Sequence, residues 1–136
     1  MEREIILEYV EKIYGTKSEH LWKDQPEAIM LRHEVNKEWY AIFTNTPGLM
    51  LQMETEETVE LINVKVVPNL RDALISSPGF LPAYHIDEEH WISIRMDGSV
   101  SEAKILDFLD MSHDLVEGNR VENKKTHGVQ KSDKVL

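Results

Sequence analysis

The chain has no cysteine, which removes disulfides, thiolate metal ligands and cysteine nucleophiles at once. A cysteine-free chain also suits a reducing cytoplasm, the expected location. Glycine and proline are sparse, at 6 and 5 of 136 residues, so each one is worth locating as backbone punctuation. No apolar run approaches the roughly 20 residues that a membrane-spanning helix needs. The opening MEREIILEYVEK is charged and amphipathic rather than basic and then apolar, so no secretory leader is expected.

Basic side chains are scarce as well. Residues 1–60 hold 6 of them against 13 acids, residues 61–118 hold 4 against 10, and the stretch from Asn119 holds 5 against 2. The body of the chain is therefore more acidic than the overall −10. Such a body repels phosphate at long range, so any contact with nucleic acid must be built locally against that field.

What is present reads as one folded domain, residues 1–118, followed by a basic, flexible tail, residues 119–136. The length is enough to bury most of the apolar surface without staples. Ile6, Tyr9, Val10, Ile13 and Tyr14 recur at helical spacing over residues 3–14, with Gly15 placed for a left-handed cap. Strands are expected at 28–33 and 38–44 around an Asn36-Lys37 turn, with Thr46-Pro47-Gly48 breaking the chain. A short strand near 49–53 and a longer one near 58–67 follow, the latter alternating Ile62, Val64 and Val66 against Asn63 and Lys65. Pro68-Asn69 opens a short helix to Ser76. A hairpin over 82–96 turns at Asp87-Glu88 and alternates Ile92, Ile94 and Met96 with Trp91, Ser93 and Arg95. Ser99 to Glu102 matches a capping box. The last helix then presents Ile105, Phe108, Leu109, Ser112, Leu115 and Val116, with Gly118 as its stop.

This order predicts an α+β fold with two layers, a curved antiparallel sheet of about five or six strands backed by three helices. The uncovered sheet face would carry Lys65, Trp91 and Arg95. Catalytic chemistry finds little to stand on. Ser76, Ser77, Ser99 and Ser101 sit at helix ends where capping explains them, no glycine-rich phosphate loop exists, and no pair among the 25 acids stands out. His85 and His90 bracket Asp87, Glu88 and Glu89, but they fall on opposite hairpin arms without a recognised zinc spacing, so a solvated acidic turn is expected and no metal or other cofactor. An enzyme using His85 or His90 would need a pocket holding both rings. Trp39, on a central strand, is expected in the core, Trp91 stands between core and surface, and His113 reads as a partly buried packing residue.

The segment PGFLPAYHIDEEHWISIRMDG, residues 78–98, together with Asn63-Val64-Lys65 before Pro68, Lys37-Glu38-Trp39-Tyr40-Ala41, and Ser112 with Leu115-Val116, resembles the MmcQ/YjbR family. These are small bacterial proteins usually labelled DNA-binding, and the resemblance covers residues 20–117. It implies a sheet backed by helices, akin to the frataxin-like or secretion-chaperone-like arrangement. It also implies nucleic-acid contact, carrying Lys65, Tyr84, His85 and Trp91 over. The chain departs from the family pattern with acids at the hairpin tip, a longer 46–57 segment, and His113 where a Tyr is typical. Two functions follow, both non-enzymatic. The first is DNA contact through the open sheet face, with Lys65 and Arg95 at phosphates, Trp91 and Tyr84 supplying stacking area, Lys37 and His85 as further contact residues, and the tail assisting. The alternative is a protein-interaction module, binding a peptide or a second copy of itself, with no nucleic-acid role.

Overall fold

The computed structural model describes residues 2–20, 22–48, 54, 56–83 and 87–125, with side chains as far as Glu117. Helix α1 spans Arg3–Tyr14, and Gly15 at φ 73° caps it by donating its N–H to the Glu11 carbonyl. Strands β1 (Ile29–Arg32), β2 (Trp39–Pro47) and β3 (Thr58–Lys65) come next, then α2 (Pro68–Leu74), β4 (Phe80–Pro82), β5 (Trp91–Arg95) and α3 (Glu102–Lys125). The five strands form one antiparallel sheet in the order β1-β2-β3-β5-β4. No helix among the described residues is long and apolar enough to cross a membrane.

The period-2 alternation of the strands sorts their side chains onto two faces. One face carries the cross-sheet rows Ile29–Phe43–Ile62–Ile94–Phe80 and Leu31–Ala41–Val64–Ile92. These pack with Ile6 and Val10 of α1 and with Ile105, Leu109 and Val116 of α3, while Leu70 and Leu74 of α2 close the margin. The two-layer α+β arrangement expected from the element order is the one observed.

Several boundaries differ from the sequence expectation for local reasons. β2 runs through Thr46 and Pro47, because Pro47 sits opposite Thr58 at the end of the ladder. There its missing N–H costs little. The last helix starts at Glu102, since Ser101 rather than Ser99 accepts the Lys104 N–H (3.3 Å). Ser99 instead closes the Asp97-Gly98 turn by donating its hydroxyl to Asp97 at 2.6 Å. Gly118 does not stop α3, which continues to Lys125; a glycine inside a helix costs only about 1 kcal/mol relative to alanine. The expected strand near 49–53, and most of the tail, lie outside the described residues.

Two glycines of the 78–98 segment, Gly79 and Gly98, hold a positive φ, and at Gly79 the space is closed as well. Gly79 has φ 89°, and a Cβ there would lie 2.5 Å from Val100 Cγ2. The segment thus brings the first arm of the hairpin hard against the entry to α3.

Candidate functional site

The second face of the sheet was expected to be open. Instead it is a small second core. Its central row is Met30–Ile42–Asn63–Ser93, and none of these four is more than 1% exposed. The cover comes from the connection after α1, which folds back along β1. Glu19 and Met30 exchange backbone hydrogen bonds at 3.1 and 2.9 Å, and this draws Trp22 over the face. Trp22, Trp39, Ala28, Ala83 and Trp91 then pack around Met30 and Ile42. Buried polar groups in the row satisfy one another, as they must. Asn63 Nδ2 donates to the Ile42 carbonyl (2.8 Å) and to Thr44 Oγ1 (3.0 Å), and the Ser93 hydroxyl donates to Asn63 Oδ1.

The strand alternation does place Lys65, Trp91 and Arg95 on this one face. Lys65 and Trp91 are cross-strand partners, whereas Arg95 faces Leu61 at the far end. Four residues of strand, about 13 Å, separate the two cations. Trp91 is only 7% exposed, so it packs in the second core rather than offering a stacking surface. Lys37 is exposed in the β1–β2 turn and holds a left-handed φ of 66°. Tyr84 and His85 lie outside the described residues. His90 is exposed and pairs with Asp87 at 2.8 Å.

Lys37, Lys65, Trp91, Trp39 and Arg32 all belong to the end of the sheet where β1 passes into β2. Here Trp22 and Trp39 meet edge to face at 6.1 Å. The Arg32 guanidinium lies over the Trp39 ring, 5.5 Å from its centre, and pairs with Glu19 at 3.1 Å. Acids also surround the other cations. The His90 hydrogen bond above all, helped by the charge of Lys65, holds Asp87 below the usual carboxylate value. Arg95 is paired with Asp97 and Arg71 with Asp72. Arg3 is held by Glu60, by the Glu27 carbonyl and by Asn45. Partial burial works against the charge of Asp97, yet the Ser99 and Arg95 contacts outweigh it and leave that carboxyl below its ordinary value. Beside Arg95 and Asp97 is a shallow cleft of about 330 Å³, lined also by Thr58 and Glu60.

On the helix-covered face lies a cluster that sequence reasoning missed. His33 (2% exposed) and His113 (3% exposed) stack with ring centres 4.4 Å apart. Tyr14 stacks on the other side of His113 at 3.8 Å, and Tyr40 abuts it edge-on at 5.0 Å. His113 Nε2 meets Glu34 Oε1 at 3.1 Å, and His33 Nε2 points toward Glu117 at 3.5 Å. Burial, then the hydrogen bond to Asp110, pushes the Tyr14 phenol well above its usual value. His33 carried no sequence signal, because it sits at a strand end beside ordinary turn residues. His113 was expected to pack, and it does.

Three of these groups, His33, Glu34 and His113, bring donor atoms within 4.8 Å of one another, the spacing of a cation site. The proton inventory speaks against that use. His33 Nδ1 accepts the backbone N–H groups of Val35 and Asn36 at 3.1 and 3.4 Å. The ring's own hydrogen therefore sits on Nε2, the atom a metal would need.

Comparison with known proteins agrees with this architecture. The family model described as YjbR matches residues 11–115. The uncharacterized protein YyaQ of Bacillus subtilis (strain 168) is 34% identical over 113 residues, covering 83% of this chain and 96% of that protein. A crystal structure from Pseudomonas syringae superposes with a TM-score of 0.81 at 33% identity, covering 85% of this chain and 98% of that one. A Deinococcus radiodurans crystal structure, at 18% identity and TM-score 0.59 over 92% of this chain and 80% of that one, shares the fold. The signature residues of the 78–98 segment, the sheet order and these matches lead to one conclusion: the chain belongs to the YjbR family.

Proposed function

We propose that this YjbR-family chain is a non-enzymatic interaction module whose partner is a protein or peptide bearing arginine or lysine side chains. The observation that carries this is electrostatic. Each arginine whose side chain is described, Arg3, Arg32, Arg71 and Arg95, is already held by a carboxylate. The body around them has 23 acids against 10 bases over residues 1–118. Phosphate would have to displace those pairs and enter a repulsive field, whereas a basic partner is drawn in. The receiving surface is the Trp22–Trp39 corner, where half-buried indoles lie next to Glu19. The chain's own Arg32 lies on Trp39 and pairs with Glu19 there, and a partner's guanidinium taking its place would make the same kind of contact.

Self-association through sheet edges is less favoured. The Met30 N–H and carbonyl on β1 are occupied by Glu19, and β4 is three residues long with Pro82 at its end. Short, proline-bearing or covered edges resist strand pairing. Nucleic-acid contact is the competing reading, and the shared location of Lys37, Lys65 and Trp39 favours it. Selection from a random peptide library on the full chain separates the two. Enrichment of Arg- or Lys-bearing peptides whose binding is lost in Trp39→Ala supports the interaction module. Failure to enrich any peptide, alongside salt-sensitive DNA binding, overturns it.

A further inference from the structure

We propose that His33 is the trigger of an acid-sensitive latch that fastens the β1–β2 turn to α3. The latch is a set of contacts at one junction. The turn is closed by the His33 N–H to the Glu38 carbonyl (2.8 Å) and the Lys37 N–H to the His33 carbonyl (3.0 Å). It is fastened to α3 by Asn36 Nδ2 donating to the Val116 carbonyl (3.2 Å), by Glu34 on His113, and by the stacked rings.

His33 stands at the centre of both halves. Its Nδ1 collects the Val35 and Asn36 N–H groups, and its Nε2 carries the hydrogen, facing the Glu117 and Glu34 carboxylates at 3.5 and 3.9 Å without a formed hydrogen bond. A second proton has only Nδ1 to go to, where it would oppose two N–H donors. The closed turn therefore has no place for a charged His33 ring. Opening the turn withdraws both N–H donors from Nδ1 and exposes it to water, where a proton can be accepted.

The other titratable groups facing the junction do not replace this trigger. His113 is flanked by Tyr14 from α1, Tyr40 from β2, Glu34 from the turn, and Asp114 and Glu117 from its own helix. Asp110 is engaged by the hydroxyls of Tyr9 and Tyr14. Glu34 loses to burial but gains more from its bonds to His113 and to the backbone, so its carboxyl lies below its ordinary value and stays charged through mild acid. Glu117 faces His33 from α3 and supplies attraction to either ring. That attraction eases a charge at Nε2 but offers no acceptor at Nδ1. Opening also removes the bond from Arg32 Nη1 to the Lys37 carbonyl (3.3 Å), leaving Arg32 on Glu19 and Trp39, and so reaches the Trp39 corner from the opposite side of the sheet.

The test is amide hydrogen exchange on the full chain between pH 7.5 and 5.0, corrected for intrinsic rates, with the tautomer of His33 read from its ring ¹⁵N shifts. The Nε2–H tautomer is expected at pH 7.5. Protection of the turn amides at Val35, Asn36 and Lys37 is expected to fall as the pH is lowered, approaching about tenfold per pH unit, the limiting slope for one proton taken up on opening. Amides of Val64 and Ile92 in the sheet centre keep their protection. In His33→Asn the side-chain Oδ1 stands where Nδ1 stood, accepting the turn N–H groups without titrating, so the acid response disappears while the turn stays closed. An Nδ1–H tautomer, unchanged turn protection down to pH 5.0, or an equal response in His33→Asn overturns the proposal. Should that variant not fold, the wild-type tautomer and exchange profile decide alone.

Discussion

Replacing Ser112 by alanine removes one oxygen, and the loss is predicted to be large for so small a change. Ser112 is fully buried on α3. Its hydroxyl donates to the Tyr40 carbonyl at 2.6 Å and accepts the Lys65 N–H at 2.8 Å. Both backbone groups need it for a reason written in the sheet register. Leu31 pairs with Ala41, but Arg32 pairs with Trp39, so Tyr40 is the extra residue of a bulge and is left without a partner across that ladder. The ladder between β2 and β3 ends one step earlier, at Ala41 and Val64. One helix side chain thus stands in for the missing rung on two strands. In Ser112→Ala the Tyr40 carbonyl and the Lys65 N–H are both stranded, at roughly 1–3 kcal/mol each, Lys65 less because water reaches it, for about 2–4 kcal/mol in all. For a domain of this size that is a fall of about 8–16 °C in Tm. Urea unfolding followed by tryptophan fluorescence gives the free energy directly. Ser101→Ala, the same deletion at an exposed helix cap, is the control and is expected to cost about 0.5–1 kcal/mol. If Ser112→Ala costs no more than that control, the bridging role assigned to Ser112 is wrong.

Other predictions concern the turns and the acid limb. Gly79→Ala meets both a positive φ and Val100, and is expected to cost about 2–4 kcal/mol in urea titration. Lys37 holds a left-handed conformation that glycine adopts without strain, so Lys37→Gly is expected to gain up to about 1 kcal/mol; a loss of stability would refute strain there. Glu34 has a folded-state value depressed below its ordinary 4.5. Its contribution is therefore complete above that pH and vanishes as pH falls through the lower folded value. Glu34→Gln should lower stability at pH 7 and flatten the acid limb of the stability curve, measured by Tm against pH.

The sequence carried the fold well where periodicity and punctuation agreed. The face of α1 and its stop at Gly15, the alternation of Ile62 and Val64 against Asn63 and Lys65, and that of Ile92 and Ile94 against Trp91, Ser93 and Arg95 all rest on local backbone geometry. What alternation does not encode is what covers a face. Lys65, Trp91 and Arg95 do share one, but two backbone bonds between Glu19 and Met30 bring Trp22 across it. Such a contact depends on where a loop returns, not on its residue pattern. The bulge at Tyr40 was equally silent, although it explains the serine among the apolar residues of α3. His33 was invisible because its role depends on a ring nitrogen receiving two turn amides, and nothing in the residues around it announces that.

The proposed function has this surface recruit a basic protein partner and not nucleic acid. Fluorescence anisotropy of labelled duplex and single-stranded DNA, titrated with the full chain at low and physiological salt, tests it most directly. The prediction is no saturable binding at micromolar protein at physiological salt, with Lys65→Ala and Arg95→Ala leaving the curves unchanged. Micromolar binding that weakens steeply with salt, and weakens further when Lys65 or Lys37 is removed, would contradict it.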